Sequence, residues 1–313
     1  MSIYDTWRLG FVGADYTYPA TPADKDQIKG PIDRLKWHIK KTKEFGGGAV
    51  QAMLLPGTTQ KDLEEIKELA QTLDIEIELG AGIFGRGFQN PEGSLIDSYR
   101  DEIVQRLNET IKTAKFLGVK ILRGAYGKLQ VKYSRYNRDY PLKDHIKFIV
   151  DNLKEAKKIF EDNDLYYAQE NHLDFFGTEF AEIFAEVNSK HIGCTLDTAN
   201  EFCLFSNPDA ANEALAPYTI TTHIKDMRIE DFQSPYGLVN FQPRGCALGD
   251  GSVNIPRILD ILAKKSPMAN GLHIIIEQGW MNYDNIPEDQ RDEYTRESLH
   301  KSFKFLKKEL GRA

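Results

Sequence analysis

Eight times along the chain a short apolar run gives way to a polar or glycine-containing turn and then to an amphipathic helical stretch. This alternation constrains the fold more than any other feature. The runs are Leu9 to Tyr16, Ala49 to Leu55, Ile75 to Gly82, Val119 to Ala125, Tyr166 to His172, Ile192 to Asn200, Tyr218 to Met227 and Leu272 to Gln278. Helical spacing fills Ile32 to Phe45, Gln60 to Leu73, Ser98 to Leu117, Leu142 to Phe160, Thr178 to Val187, Asp209 to Ala216, Asn254 to Ala263 and Gln290 to Leu310. Helix starts carry capping residues or early prolines, at Thr58-Thr59, Asn207-Pro208 and Asn254-Ile-Pro256, and Gly46-Gly47-Gly48 suits a helix C-terminal turn. Eight such units in 313 residues predict an α/β fold, a closed (β/α)8 TIM barrel forming a single domain over 1–313. An open doubly wound sheet would call for a Gly-rich phosphate turn after an early strand, and Gly10-Phe-Val-Gly13 is not one.

Three stretches break the rhythm, at 85–97, 126–141 and 228–252. All follow strands, on the rim where barrels place their chemistry, so each is expected to be a long loop over a site. Composition narrows the function. A net charge of −7 speaks against a nucleic-acid surface, which needs a basic stripe. No apolar stretch suits a membrane span, and Asp5 and Arg8 do not fit a secretory leader, so a cytoplasmic protein is expected. Three cysteines without paired spacing read as reduced thiols.

The last four strand-like runs each end at an ionisable side chain: Glu170, Asp197, His223 and Glu277. In a barrel these ends converge on one mouth. Crowded carboxylates raise one another's pKa unless a cation neutralises them, so the four are expected to bind a divalent metal. Three carboxylates and one imidazole suit Mn2+, with Mg2+ or Co2+ as substitutes. The proposition requires the four to meet at one rim around a shared cation, with no lysine or arginine in its place. His172 shares the strand face of Glu170 and is a candidate proton carrier or an outer support for the metal. Asp226, after His223, is on the opposite parity and is a candidate to orient a ligand from outside. Asn200 and Arg123 are candidates to bind substrate, and Trp280, Phe84, Phe88 and Tyr126 to wall a sugar-sized pocket. Gly249-Asp-Gly251 reads as a tight turn into the seventh helix.

These residues, in Glu-Asn-His, Leu-Asp-Thr-Ala-Asn, Thr-His-Ile-Lys-Asp, Leu-Gly-Asp-Gly-Ser-Val-Asn-Ile-Pro and Ile-Ile-Glu-Gln, resemble the xylose isomerase-like TIM-barrel family over nearly the whole chain. That family includes sugar isomerases, ketose 3-epimerases, dehydratases, lyases and endonuclease IV. The resemblance implies that Glu170 and Glu277 both hold metal and exchange protons with opposite faces of a substrate carbon. The expected function is a metal-dependent sugar isomerase or epimerase working through an enediolate on a keto-sugar or related polyhydroxy acid. The epimerases usually carry a histidine where this chain has Asn200. That departure is more similar to lyases on oxidised sugars, such as 3-oxo-isoapionate decarboxylases or C-glycoside deglycosidases, where His172 would move the proton. A non-catalytic sugar-binding barrel is a further alternative. The expected partner is a sugar-like small molecule, with possible homo-oligomerisation or a small partner subunit. Resemblance to endonuclease IV stops at the scaffold, because an acidic chain with seven histidines lacks a basic groove.

Overall fold

A computed structural model describes residues 2–54, 57–83, 100–126, 138, 141–231 and 241–312. All eight expected units are present. The strands are β1 Arg8–Phe11, β2 Ala49–Ala52, β3 Glu76–Gly80, β4 Ile121–Ala125, β5 Tyr166–Glu170, β6 Ile192–Asp197, β7 Thr219–His223 and β8 His273–Ile276. The principal helices are α1 Pro31–Glu44, α2 Gln60–Leu73, α3 Arg100–Leu117, α4 Leu142–Asn163, α5 Gly177–Val187, α6 Pro208–Leu215, α7 Ile255–Lys265 and α8 Arg291–Glu309. Strands β2 to β7 pair in parallel in chain order, and β8 pairs in parallel with β1. Two seams close the ring. Gly48 donates its backbone N–H to Leu9 O at 2.8 Å, and Ile224, just past β7, donates to Ile275 O at 2.7 Å. The result is a (β/α)8 barrel.

Local chemistry sets where the helices begin and end. Thr59 and Asp62 form a capping box at the start of α2, and the side chains of Asn207 and Asn254 accept from the first turns of α6 and α7. Gly46 and Gly118 end α1 and α3 with positive φ, and Asp74, Asp164 and Asn188 adopt the left-handed conformation after α2, α4 and α5. Asp and Asn tolerate that region better than branched residues, so each chain reversal toward the next strand is written into the sequence.

Alternation along the strands divides the interior in two. Side chains such as Leu9, Phe11, Ile77, Leu79, Leu122, Tyr167, Leu196, Ile274 and Ile276 face the helices and form the main core. A small plug of Ile121, Ala168 and Ile220 fills the bottom of the barrel lumen. Ile220 sits at a register shift, since Cys194 pairs with Thr219 and Thr195 with Thr221. Above the plug the lumen turns polar.

The 85–97 stretch and Phe84 lie outside the described residues, as does nearly all of 126–141. The 228–252 stretch is not a single loop where it is described. Asp226–Asp231 and Phe241–Cys246 form an antiparallel hairpin, followed by the turn into α7. Polar residues alternating with Met227 and Ile229 conceal that strand pattern in the sequence. Gly245 allows the hairpin to press against the exit of β8, where a Cβ would meet Gly279 O at 1.9 Å, and its N–H donates to Trp280 O at 2.8 Å. Among the described residues no helix is long and apolar enough to cross a membrane. The three cysteines are free thiols.

Candidate metal centre at the strand ends

Glu170, Asp197 and His223 are the last residues of β5, β6 and β7, and Glu277 follows β8 directly. Pairing aligns Asp197 with His223 and sets Glu170 opposite Thr195, two residues before Asp197. Each of the four offers a ligand atom within 4.8 Å of the others. His223 Nδ1 lies 3.2 Å from Glu170 Oε1 and 3.1 Å from Glu277 Oε2. The strand-end reading therefore assembles one group of donors that could hold a metal ion.

The donors are held from behind. The Asn171 amide clamps the backbone of Asp197, donating to its carbonyl at 3.0 Å and accepting from its N–H at 2.7 Å. Asp197 Oδ1 accepts the N–H groups of Ala199 and Asn200 at 2.9 and 3.0 Å. Its other oxygen, Oδ2, is buried, as is Glu277 Oε2, and both take charged partners within the cluster. Three carboxylates and an imidazole gathered this closely form a donor set that could hold a cation. The oxygen-rich donor set fits a hard divalent ion.

The sequence reading required that no basic side chain take the cation's place, and here the structure corrects it. Lys225, two residues past His223 on the same face, brings Nζ within 2.7 Å of Asp197 Oδ2 and 2.9 Å of Glu277 Oε2. Its side chain is only 2% exposed. It also donates to Asn200 Oδ1 at 3.1 Å and sits 4.6 Å above the Trp280 ring. The signal that could have found it was available, because period-two spacing puts Lys225 on the inward face with His223. Lys225 joins the cluster and displaces none of the four donors from it.

Charges in this crowded space shift one another. Burial, with Glu277 and Glu170 nearby, pushes the Asp197 carboxyl up to about 7 against the pull of Lys225. Burial also opposes ionisation of Glu277, yet Lys225 and His223 hold its carboxyl well below the usual range. For Glu170 burial is likewise outweighed, by His223 and Arg123. Burial disfavours a charged His223, but Glu170 and Glu277 raise the imidazole to about 9. Burial resists the Lys225 ammonium too, and Asp197 and Glu277 overcome it, holding the group charged. Three carboxylates thus face three basic side chains, His223, Lys225 and Arg123.

The remaining candidates separate by position. His172 is partly exposed just beyond β5, its ring 6.4 Å from that of Trp280, at the mouth of the barrel. Trp280 is 41% exposed and has a positive φ of 51°. Arg123 lies in the lumen, with Nη1 3.8 Å from Glu170 Oε2 and Nε 4.0 Å from Glu78 Oε2. Asn200 is fully buried and engaged at both ends of its amide, donating to Asn171 O at 3.1 Å as well as accepting from Lys225. Asp226 has no part in the cluster. It accepts the N–H groups of Met227, Gly249, Gly251 and Val253, so the expectation that it orients a ligand gives way to a structural one. A Cβ at Gly251 would meet Asp226 Oδ1 at 2.0 Å, which explains the tight turn there. Tyr16, missed in the sequence reading, brings its hydroxyl beside Gly279 at the mouth, and burial and the Glu277 charge raise its pKa.

The family described as xylose isomerase-like TIM barrel matches residues 39–308. No curated protein matches the sequence. Among solved structures, the chain is similar to a xylose isomerase-like TIM barrel protein from Mycobacterium smegmatis in complex with magnesium, at 13% identity and a TM-score of 0.67, covering 100% of both chains. It is similar to a D-psicose 3-epimerase with D-tagatose from Clostridium cellulolyticum H10, at 16% identity and a TM-score of 0.64, over 94% of this chain and 98% of that one. It is also similar to a probable 3-DHS dehydratase involved in petrobactin synthesis from Bacillus anthracis, at 11% identity and a TM-score of 0.59, over 96% and 98% of the two chains. At these identities the likeness to solved structures establishes the fold.

Proposed function

The chain belongs to the xylose isomerase-like TIM barrel family, and on that premise we propose that it is a divalent-metal-dependent sugar isomerase or epimerase. Its substrate is a keto-sugar or related polyhydroxy acid, converted through an enediolate. The observation that carries this reading is the cluster at the strand ends, in which Glu170, Asp197, His223 and Glu277 each offer a ligand atom within 4.8 Å of the others.

Glu170, Asp197, His223 and Glu277 would hold the ion, with Mn2+ as the first choice and Mg2+ or Co2+ fitting the same donors. A bound dication polarises neighbouring carbonyl and hydroxyl oxygens of a sugar, which acidifies the C–H between them. The chain's own groups do the rest. Glu170 and Glu277 approach His223 Nδ1 from two different strands, so a substrate carbon above the cluster has a carboxylate available on either side to take or return a proton. Lys225 keeps a fixed positive charge beside Glu277, favouring its ionised form and any developing oxyanion nearby. Asn200 supports that ammonium, and Arg123 approaches Glu170 from within the lumen. Trp280, with His172 alongside, provides an apolar wall at the mouth for one face of a sugar.

A lyase outcome has one observation in its favour. Lys225 is a permanent cation within the cluster, suited to stabilising charge as a leaving group or carbon dioxide departs, with His172 at the rim to supply the proton. The first proton abstraction is common to both readings. Elemental analysis of protein purified without chelators, followed by proton exchange from deuterated water into a panel of keto-sugars, tests the proposal. Bound Mn2+, Mg2+ or Co2+ together with exchange supports it. Absence of both metal and exchange leaves a binding barrel and overturns it.

A further inference from the structure

Below the metal centre the lumen holds a second set of polar groups, and it reaches the metal-side histidine through one amide. His223 Nε2 lies 2.9 Å from Gln51 Oε1, on the opposite edge of the ring from the carboxylates. Gln51 Nε2 donates to Glu78 Oε2 at 2.9 Å. Glu78 has no exposed surface, and its other oxygen accepts from Thr221 Oγ1 at 2.5 Å and from His273 Nδ1 at 2.7 Å. The five residues come from β2, β3, β7 and β8, on different sides of the barrel.

The direction of each bond follows from the chemistry of Glu78. With donors from three residues converging on it, Glu78 acts only as an acceptor. Gln51 must therefore present its NH2 to Glu78, because a flipped amide would set its oxygen against a carboxylate. Its oxygen is then fixed on His223, and a carbonyl oxygen there demands a proton on Nε2. Nδ1 faces Glu170 and Glu277, and it is there that the ring gives up its other proton to offer a lone pair where a ligand atom is needed. We propose that Glu78 is a positioning residue for the metal centre: acting through the Gln51 amide, it fixes the proton of His223 on Nε2 and turns Nδ1 to the metal. This role rests on the metal reading above and adds to it a residue from the third strand that touches none of the four donors.

The test is a pair of substitutions that reverse the polarity of the link. In Glu78→Gln, the introduced amide keeps its oxygen for Thr221 and His273 and turns its NH2 on Gln51. Gln51 must then flip and set its own NH2 against the His223 Nε2–H. Calorimetric titration with Mn2+ should show affinity about 10- to 100-fold weaker than wild type. In the Mg2+-loaded protein the slowly exchanging His223 Nε2–H signal seen by NMR should be lost. Combining Glu78→Gln with Gln51→Glu puts a carboxylate where it accepts from both neighbours, and both readouts should return to wild type. If Glu78→Gln does not fold, Gln51→Leu leaves Glu78 with Thr221 and His273 and should produce the same loss of affinity. Wild-type Mn2+ affinity with an unchanged Nε2–H signal in folded Glu78→Gln, or in Gln51→Leu, overturns the role. So does a double variant as weak as the single one. A wild-type protein that binds no Mn2+, Mg2+ or Co2+ overturns the metal reading itself, a pattern distinct from wild-type binding that Glu78 does not influence.

Discussion

Two layers of the barrel lumen use the same chemistry and reach opposite ends. In the lower layer His273 lies between two carboxylates, 2.7 Å from Glu78 Oε1 and 3.0 Å from Glu76 Oε2, while Arg8 pairs with Glu76 at 2.6 Å from the rim. Both Glu78 oxygens have donors. In the upper layer His223 also lies between two carboxylates, Glu170 and Glu277, but a third, Asp197, is added and Lys225 bridges it to Glu277. Ionic groups alone do not mark a functional site. The lower cluster spends its carboxylates on linking strands, whereas the upper one gathers three carboxylates and an imidazole with ligand atoms within 4.8 Å of one another at the strand ends.

Substitutions can break this contrast. The largest effect should come from Glu277→Gln, which removes a donor and a proton carrier together. Turnover, followed as deuterium exchange into a keto-sugar, should fall by at least about 10^3-fold while circular dichroism reports an intact fold. An active, metal-replete Glu277→Gln variant would refute its place in the upper layer. Next in size is the lower layer: Glu78→Ala strands His273, Thr221 and Gln51 in the lumen and should cost about 3–5 kcal/mol in urea unfolding. Asp197→Asn, measured on metal-free protein, should by contrast cost less, because the barrel already resists ionising that carboxyl and Lys225 keeps Glu277 as a partner. Equal destabilisation by the two would erase the distinction between the layers.

For His172→Ala the expectation is about 10^2-fold slower exchange with metal content unchanged. Loss of metal instead would move His172 among the ligands. Adding Mn2+ at a hundred times its Kd should stabilise the wild type by about 2.7 kcal/mol and leave Asp197→Asn almost unaffected, as read from thermal unfolding. The smallest effect is the pH dependence of the lower layer. Burial opposes a charged His273, yet Glu76 and Glu78 raise it to about 9 from an ordinary value of 6.5. The folded protein therefore holds a proton there that the unfolded chain has lost, and stability should decline as pH rises from 6.5 through about 9. Urea midpoints across that window should show the decline, and His273→Gln should lessen it, leaving the share due to His223, which is also raised to about 9.

Much of this was legible in the sequence. The alternation placed all eight strands and their helices, with Gln60–Leu73 matching to the residue, because hydrophobic period and capping chemistry act over a few neighbouring residues. The four donors were legible for a related reason, since each apolar run stops where an ionisable residue begins. The hairpin at Asp226–Asp231 escaped notice because half its side chains face solvent and lack an apolar pattern. Asp226 looked like a support for the metal from its place after His223, and only the fold showed four backbone N–H groups converging on it.

The sequence by itself determined the kind of fold and which side chains stand at the strand ends, since both are written in local periodicity and order. Tertiary structure decided which of those side chains meet. Gln51 and His223 are 172 residues apart and Glu78 and His273 are 195 apart, yet each pair is in hydrogen-bond contact. Such meetings depend on how the closed sheet staggers its strands around the lumen, a property of the whole ring that no short stretch of sequence encodes. The same closure put Lys225 between Asp197 and Glu277, and with it the balance of charge on which the proposed chemistry depends.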